Sequence, residues 1–371
     1  MDTLKSSRWN VPRAIDRSNY YISVKQTVAQ AMDVRARNSD AIVGTVILAS
    51  LTNSYVEGSA DLTGALSGQT VRNHLKKQNP SSLIRMNDSL IKELLSIGAL
   101  SEKCIVAIDT HDIMYYGHPD THGVIGTQPK KGSHMAYKFA SISIISHGEK
   151  LTLAVTPVGY EPRVEHVKTL VEHTFSLGIR PKIVLLDGAY NSAEVINYLN
   201  GNKMKYVIRI SPPIEVKHGD DFIYRSRGHR RKEEQQATFR LVAINSRDRR
   251  SGKVRLFVFA TNTNLKPRMI RRLFRKRWAI ETSYRMINKF LARTTSKLHS
   301  IRILYFYLAI LLYNLWVTLN HHEQYGKIIA DSLKLYIVLA AVLTFIPDME
   351  RWLWDGPIFD LLFRGERIHL R

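Results

Sequence analysis

The sequence predicts an α/β fold: a mixed β-sheet flanked by helices, with a helical N-terminal region, a β-rich insertion and a helical C-terminal region. Three observations predict it. Two short apolar runs each end in an acid, CIVAID (Cys104–Asp109) and KIVLLD (Lys182–Asp187), and read as strands buried on both faces. Helical spacing in Arg163–Gly178, and again from about Ser192, alternates with the strands as it does where helices cover a sheet. Period-two alternation in Lys138–Val158, on both sides of His147-Gly148, marks an antiparallel hairpin, which makes the sheet mixed.

Taken in order, residues 1–100 read as mainly helical. Within them DLTGALSGQTVRNHLKK (Asp61–Lys77) puts Gly64 and Gly68 in a turn before a helix that starts near Gln69. Val71 and Leu75 face inward at i, i+4, and Thr70, Arg72, Asn73 and Lys76 form the polar face. Short polar side chains suit base edges and Lys and Arg suit phosphates, so this is a candidate helix-turn-helix reading element. An ordinary surface helix after a glycine turn would show the same pattern.

Residues 101–210 carry three strands, a helix, a strand, a helix and a strand. Asn191 with Glu194 three residues on supplies a capping signal for the second helix, and Lys205–Ile210 (KYVIRI) is the last strand. The Gly-rich connector before Lys138 holds His118, His122 and His134 at a spacing that suits no zinc motif. Its Lys130 and Lys131, with Lys138, are candidate DNA contacts. Residues 211–264 are the β-rich insertion, with strands at Phe239–Ile244 and Val254–Thr261. Arg225, Arg227, Arg230, Arg231 and Lys232 make its turn either a DNA-facing tip or a plain solvated one. Residues 265–325 return to helical spacing and complete the core; 326–371 form the C-terminal helical region. The apolar stretches Ile303–Leu319 and Leu333–Ile346 read as core helices. The first is short for a span and contains Asn314; the second is too short to cross a bilayer.

The charge balance narrows the function. The chain has 54 Lys and Arg against 32 Asp and Glu, a net charge of +22 spread almost throughout, so a polyanionic partner, above all nucleic acid, is expected. A single cysteine, Cys104, excludes an intrachain disulfide and a cysteine-based zinc site, and fits a reducing cytosol. The polar start MDTLKSSRWNVPRAIDRSN has no secretory pattern, so the expected location is the cytoplasm, at the nucleoid.

In LFRKRWAIETSYRMINKF (Leu273–Phe290) one acid, Glu281, stands among positive charges. On a continuous helical wheel Leu273, Ile280, Tyr284, Ile287 and Leu291 form the apolar face and Glu281 lies at its edge. Arg277 and Arg285 bracket it one turn either side, and Asn288 continues the stripe. Glu281 is then either an ordinary i±4 partner of an arginine or a metal ligand whose arginines hold phosphates. Trp278 is placed to stack on an unpaired base or to pack. Asp109 and Asp187 favour the metal reading. An acid at the end of a buried strand is costly unless a cation meets it. Two or three carboxylates without imidazole or thiolate suit Mg²⁺ (or Mn²⁺).

The order of strands and helices, with Asp109 on the first strand and Asp187 ending the fourth, resembles the RNase H-like core of DDE transposases. The β-rich insertion before the last acid resembles the insertion-sequence group with a Tyr-x2-Arg-x3-Glu-x6-Lys signature. Here Phe274, Arg277 and Glu281 match its first three positions, with Phe for Tyr; Asn288 stands at the fourth and Lys289 follows it. AIDTHDIMYYG, LLDGAYNSAEVINYL and RKRWAIETSYR resemble the archaeal members in particular.

The resemblance implies a triad of Asp109, Asp187 and Glu281 that binds a pair of Mg²⁺ or Mn²⁺ ions. Asp112 competes for the first place, but Asp109 directly ends the apolar run. It further implies DNA contacts from Arg277, Arg285, Asn288 and Lys289, cleavage at terminal inverted repeats, joining of the 3′-hydroxyl to target DNA, and a homodimer at synapsis. The alternatives are a sequence-specific DNA-binding protein without catalysis, and an RNase H-like nuclease without strand transfer.

Overall fold

The computed structural model describes residues 17–32, 38–64, 66–145, 150–211, 214–226, 236–247 and 252–320. In chain order the helices are α1 (Arg17–Met32), α2 (Ser39–Thr52), α3 (Val56–Thr63), α4 (Gly68–Leu75), α5 (Ser81–Ser96), α6 (Arg163–Ser176), α7 (Ala193–Gly201), α8 (Pro267–Arg275), α9 (Trp278–Ile287) and α10 (His299–Asn320). The strands are β1 (Ile105–Tyr115), β2 (Ile125–Lys130), β3 (Ser133–Ile144), β4 (Thr152–Val158), β5 (Ile183–Leu186), β6 (Tyr206–Ile210), β7 (Asp221–Arg225), β8 (Thr238–Arg247) and β9 (Val254–Thr261). The chain divides into two compact units, one formed by residues 88–285 and one by 1–87 with 286–371.

In the first unit all the described strands join one mixed sheet in the order β2-β3-β1-β5-β6-β9-β8-β7, with β4 also on β3. The central strands β1, β5 and β6 run parallel, and the stretches that pair, Ile105–Ile108, Ile183–Leu186 and Tyr206–Ile208, are apolar, as strands covered on both faces must be. Helix α6 packs on β3 and β4, α7 beside α6, and α8 over β8. Two features differ from the sequence reading. Strand β1 does not stop at Asp109 but runs on to Tyr115, because β3 pairs with it from Val106↔Ile144 to Tyr115↔Met135. Its parallel neighbour β5 stops opposite Ile108, so beyond that point one edge of β1 is open. Second, β7, β8 and β9 extend this sheet through the antiparallel β6–β9 ladder, Val207↔Thr261 to Ile210↔Val258. The half of β9 that pairs with β6 is buried and apolar, whereas Val254, Arg255 and Leu256 are exposed. Of the basic turn, Arg227, Arg230, Arg231 and Lys232 lie outside the described residues, as do His147-Gly148 and the stretch from 321 onward.

The second unit is helical. Helix α2 is buried continuously from Ile42 to Leu51, so it is the central helix and needs no amphipathic pattern. Helix α10 is long and apolar enough to cross a bilayer by length and composition, but most of that stretch is buried. Its one interior amide, Asn314, donates to Asn87 Oδ1 at 2.6 Å, which pairs two buried polar side chains.

The helix containing Glu281 is broken. Successive i→i−3 bonds, from Lys276 and Arg277 to Leu273 and Phe274, separate α8 from α9, and a 3-10 turn, Asn288–Phe290, ends α9. Each tightening shifts the helical phase by about one residue. Phe274 and Phe290 are therefore buried where an unbroken wheel puts Leu273 and Leu291, while Ile280, Tyr284 and Ile287 face inward as that wheel predicts.

Candidate active site

The β1–β5 ladder pairs Ile108 with Leu186, and the next residue on each chain is an acid. Asp109 and Asp187 thus occupy neighbouring register positions, about 5 Å apart at the backbone. Asp187 leaves β5 and caps the 3-10 turn Gly188–Tyr190, its Oδ1 accepting from the Gly188 N–H at 2.7 Å. Asp109 Oδ1 accepts from the Thr110 N–H at 2.8 Å. Its position is fixed from above by α9: the buried Tyr284 hydroxyl donates to the Asp109 carbonyl at 2.8 Å and accepts from Ser141 Oγ at 2.8 Å. His111, two residues along on the same face of β1, stacks on the Tyr284 ring at 4.7 Å.

Arg277 completes the cluster. Its Nη1 donates to Asp109 Oδ2 at 2.7 Å and its Nη2 to Glu281 Oε1 at 2.8 Å, so one buried guanidinium bridges the strand acid and the helix acid. The break between α8 and α9 makes this possible, because it turns Arg277 inward. The local charge is unbalanced even so. Burial raises Asp109 from the usual 3.8 to about 6, against the opposing pull of Arg277 and the Thr110 N–H, and Asp187 and Glu281 push it further up. Burial also holds the Tyr190 and Tyr284 hydroxyls far above their ordinary range, with Asp109 adding to both. The buried Tyr190 hydroxyl has no hydrogen-bond partner among the described residues.

Asp112 is excluded from this cluster by strand geometry. Three residues along a strand reverses the face, and Asp112 is neutralised there by Thr127 at 2.8 Å, Lys130 at 3.2 Å and Lys138 at 3.5 Å. Those contacts hold its carboxyl below the usual range, although its burial opposes them. They also engage Lys130 and Lys138, two lysines expected to touch DNA.

Comparison with known proteins decides the family. Residues 100–315 match the family model described as "Transposase DDE domain". The chain belongs to the transposase DDE domain family. A cryo-EM structure of a piggyBac transposase synaptic complex with hairpin DNA is similar at a TM-score of 0.56 and 12% identity, over 96% of this chain and 86% of that one, a likeness of fold. No curated protein sequence matches the chain.

The transposase core therefore brings Asp109, Asp187, Arg277 and Glu281 together, but not as the sequence reading drew them. Arg277, expected as a phosphate contact, is buried and clamps two carboxylates; the i, i+4 pairing with Glu281 and the cluster of acids coexist. Among the described residues no three acid, histidine or cysteine side chains are already gathered as a metal cage. Arg285 is exposed, and Trp278 is 63% exposed rather than packed. Asn288 and Lys289 belong to the 3-10 turn of the helical unit, where the Asn288 carbonyl accepts from the Asn53 side chain at 2.8 Å. Sequence reasoning missed the roles of Tyr190 and Tyr284, since a buried tyrosine on an apolar face reads as core.

In the helical unit, α3 and α4 pack against each other across a short turn. Gly64 caps α3 at φ +62°, and at Gly68 a side chain would meet the Glu57 backbone at 2.7 Å, so both turn glycines are required. Val71 and Leu75 are buried, and Asn73 and Lys76 are exposed. Ser67 caps α4 and engages Thr70. Arg72 is held by Glu57 at 3.0 Å and by Gln69, so it is not a free reader. Together with Lys76 it lines a cleft of about 390 Å³ whose other wall is Thr294, Thr295, Ser296 and Leu298, residues the sequence reading passed over.

Proposed function

We propose that this chain is the transposase of an insertion sequence, which binds its element's terminal inverted repeats, cuts there, and joins the freed 3′-hydroxyl to target DNA. One observation carries the chemistry: the buried Asp109 feels the charges of both Asp187 and Glu281, and Arg277 is the cation that bridges Asp109 and Glu281. An oxygen-only donor set with an uncompensated negative charge and an orphaned Tyr190 hydroxyl fits Mg²⁺ or Mn²⁺, and Asp109, Asp187 and Glu281 would hold the ions. When bound, a pair of such ions supplies activation of the attacking oxygen and stabilisation of the leaving one.

The chain's own residues prepare that site. Tyr284 and Ser141 hold the Asp109 backbone, the Gly188 N–H aims the Asp187 carboxylate, and Arg277 keeps Asp109 and Glu281 paired. Water is the nucleophile of the first displacement and the 3′-hydroxyl that of the second, so the protein forms no covalent link to DNA. Thr70, Asn73 and Lys76 on α4 meet the repeat, and exposed Arg285 and Trp278 lie on the helix that carries Glu281, available to flanking phosphates and an unstacked base. Holding two ends at once calls for a homodimer, and the reaction belongs in the cytoplasm at the nucleoid.

The engagement of both Asp109 and Glu281 by Arg277 favours one second reading, a DNA-binding descendant without catalysis. Incubating the protein in Mg²⁺ with DNA that carries the repeats flanking its own locus separates the two. The unaltered chain should yield cut and joined products, and Glu281→Gln neither. Equal cutting by both proteins would sink the assignment of Glu281; joined products without Mg²⁺ or Mn²⁺ would sink the metal reading.

A further inference from the structure

A second charged constellation lies along the same row of the sheet. The β5–β6 ladder pairs Leu186 with Ile208, and β6–β9 pairs Arg209 with Phe259. Carried one residue past Ile108 and Leu186, a single cross-strand row therefore reads Ser141, Asp109, Asp187, Arg209, Phe259 over five adjacent strands. A Cβ built at Gly188 would lie 3.2 Å from the Arg209 carbonyl, so the backbone just past Asp187 stays beside Arg209. Arg209 is the one charged residue of an otherwise buried strand, and it is exposed. Its guanidinium lies 5.2 Å from the Phe257 ring centroid, and that of Arg271, from α8, lies 3.9 Å from the same ring. Phe257 in turn stacks on Phe259, which packs against Phe274 of α8, so both arginines are set on a rigid aromatic base.

What these arginines lack is an acid. Among the described residues no carboxylate pairs with Arg209, Arg271 or Arg275, and Arg271 Nε is buried without a hydrogen-bond partner. Burial lowers the Arg271 pKa, and the charges of Arg275 and Arg209 lower it further. Like charges held together on a stacked aromatic floor call for an anion. Resting on the transposase reading, we propose that Arg209 and Arg271, on Phe257 and with Arg275 beside them, form a seat for backbone phosphates of the strand being cut. With strands about 4.8 Å apart, Arg209 lies two strands and about 10 Å from Asp109. A DNA strand advances about 3.4 Å along its axis per nucleotide, but with the helical rotation successive phosphates lie about 6–7 Å apart in space, so the seated phosphates are one to two nucleotides from the cut. The arginines are positioning residues: they set which phosphate reaches the carboxylates.

The test uses the full chain and duplex DNA of the flanking repeats. Arg209→Ala and Arg271→Gln should each weaken binding about tenfold and lower the slope of log affinity against log salt by about one. Circular-dichroism melts monitor folding; Arg209→Ala is the safer variant because that side chain is exposed. An uncharged methylphosphonate one or two nucleotides from the cut should slow cutting by the unaltered chain. It should add nothing to the defect of Arg209→Ala. If both variants keep the native affinity and salt slope while Lys76→Ala loses both, the seat is refuted and the transposase reading stands. If the unaltered chain does not bind the repeats at all, both fall together.

Discussion

Replacing Asp109 by asparagine should stabilise the ion-free protein at neutral pH, by an amount that the structure sets. Burial holds Asp109 at about 6 in the folded chain against 3.8 for the usual aspartate, even with Arg277 at 2.7 Å. A carboxyl whose folded-state pKa lies above the unfolded one favours folding while it is protonated. Its contribution is complete below about pH 4 and is lost as pH rises through about 6. At ~1.4 kcal/mol per pH unit the gap amounts to about 3 kcal/mol at pH 7.5. Asparagine reproduces the protonated shape without the charge and leaves Arg277 its bond to Glu281. The stability difference between Asp109→Asn and the native chain should therefore be small at pH 4 and open to about 3 kcal/mol by pH 7.5, in favour of the variant. Urea unfolding midpoints in EDTA, taken at half-unit steps between pH 4 and 8, measure it. A difference that stays flat across that range would refute the claim that the pocket is short of positive charge. Adding Mg²⁺ at pH 7.5 should then stabilise the native chain and not the variant.

Three more outcomes follow from the geometry. Asp112→Asn, on the opposite face of β1 and engaged there by Thr127, Lys130 and Lys138, should cut repeat DNA within about threefold of the native rate, whereas Asp187→Asn should lose more than ~100-fold. Gly68→Ala forces a side chain against the Glu57 backbone and should lower the stability of the helical unit by about 1–3 kcal/mol, seen as a lower melting temperature together with weaker repeat binding. Asn87→Leu removes the buried acceptor to which the Asn314 amide donates at 2.6 Å; a loss of about 1–3 kcal/mol in urea unfolding is expected, with cutting by the folded fraction unchanged.

Much of this protein is a local matter and could be read along the chain. Apolar runs such as IVAI and IVLL, each followed by an acid, read as interior strands, so a sheet carrying the two acids was legible at once. The spacing of Val71 and Leu75 determined which face of α4 is buried, and the charge of +22 pointed to DNA. Pairing, by contrast, depends on partners far away in the chain. Only β3 could show that β1 runs on past Asp109, and only the early end of β5 opens the edge on which the acids sit. The β-rich stretch joined the sheet because the buried half of β9 found β6, a choice no local pattern contains. Helical phase was lost for a similar reason: two tight turns, invisible to a wheel of fixed pitch, turned Arg277 from the solvent to the acids. The lone arginine in KYVIRI was an available signal for the phosphate seat, since a charge in an otherwise buried strand calls for an explanation. Residue types and short-range spacing set which groups could do chemistry. Register and helix breaks, which are long-range, decided which of them meet.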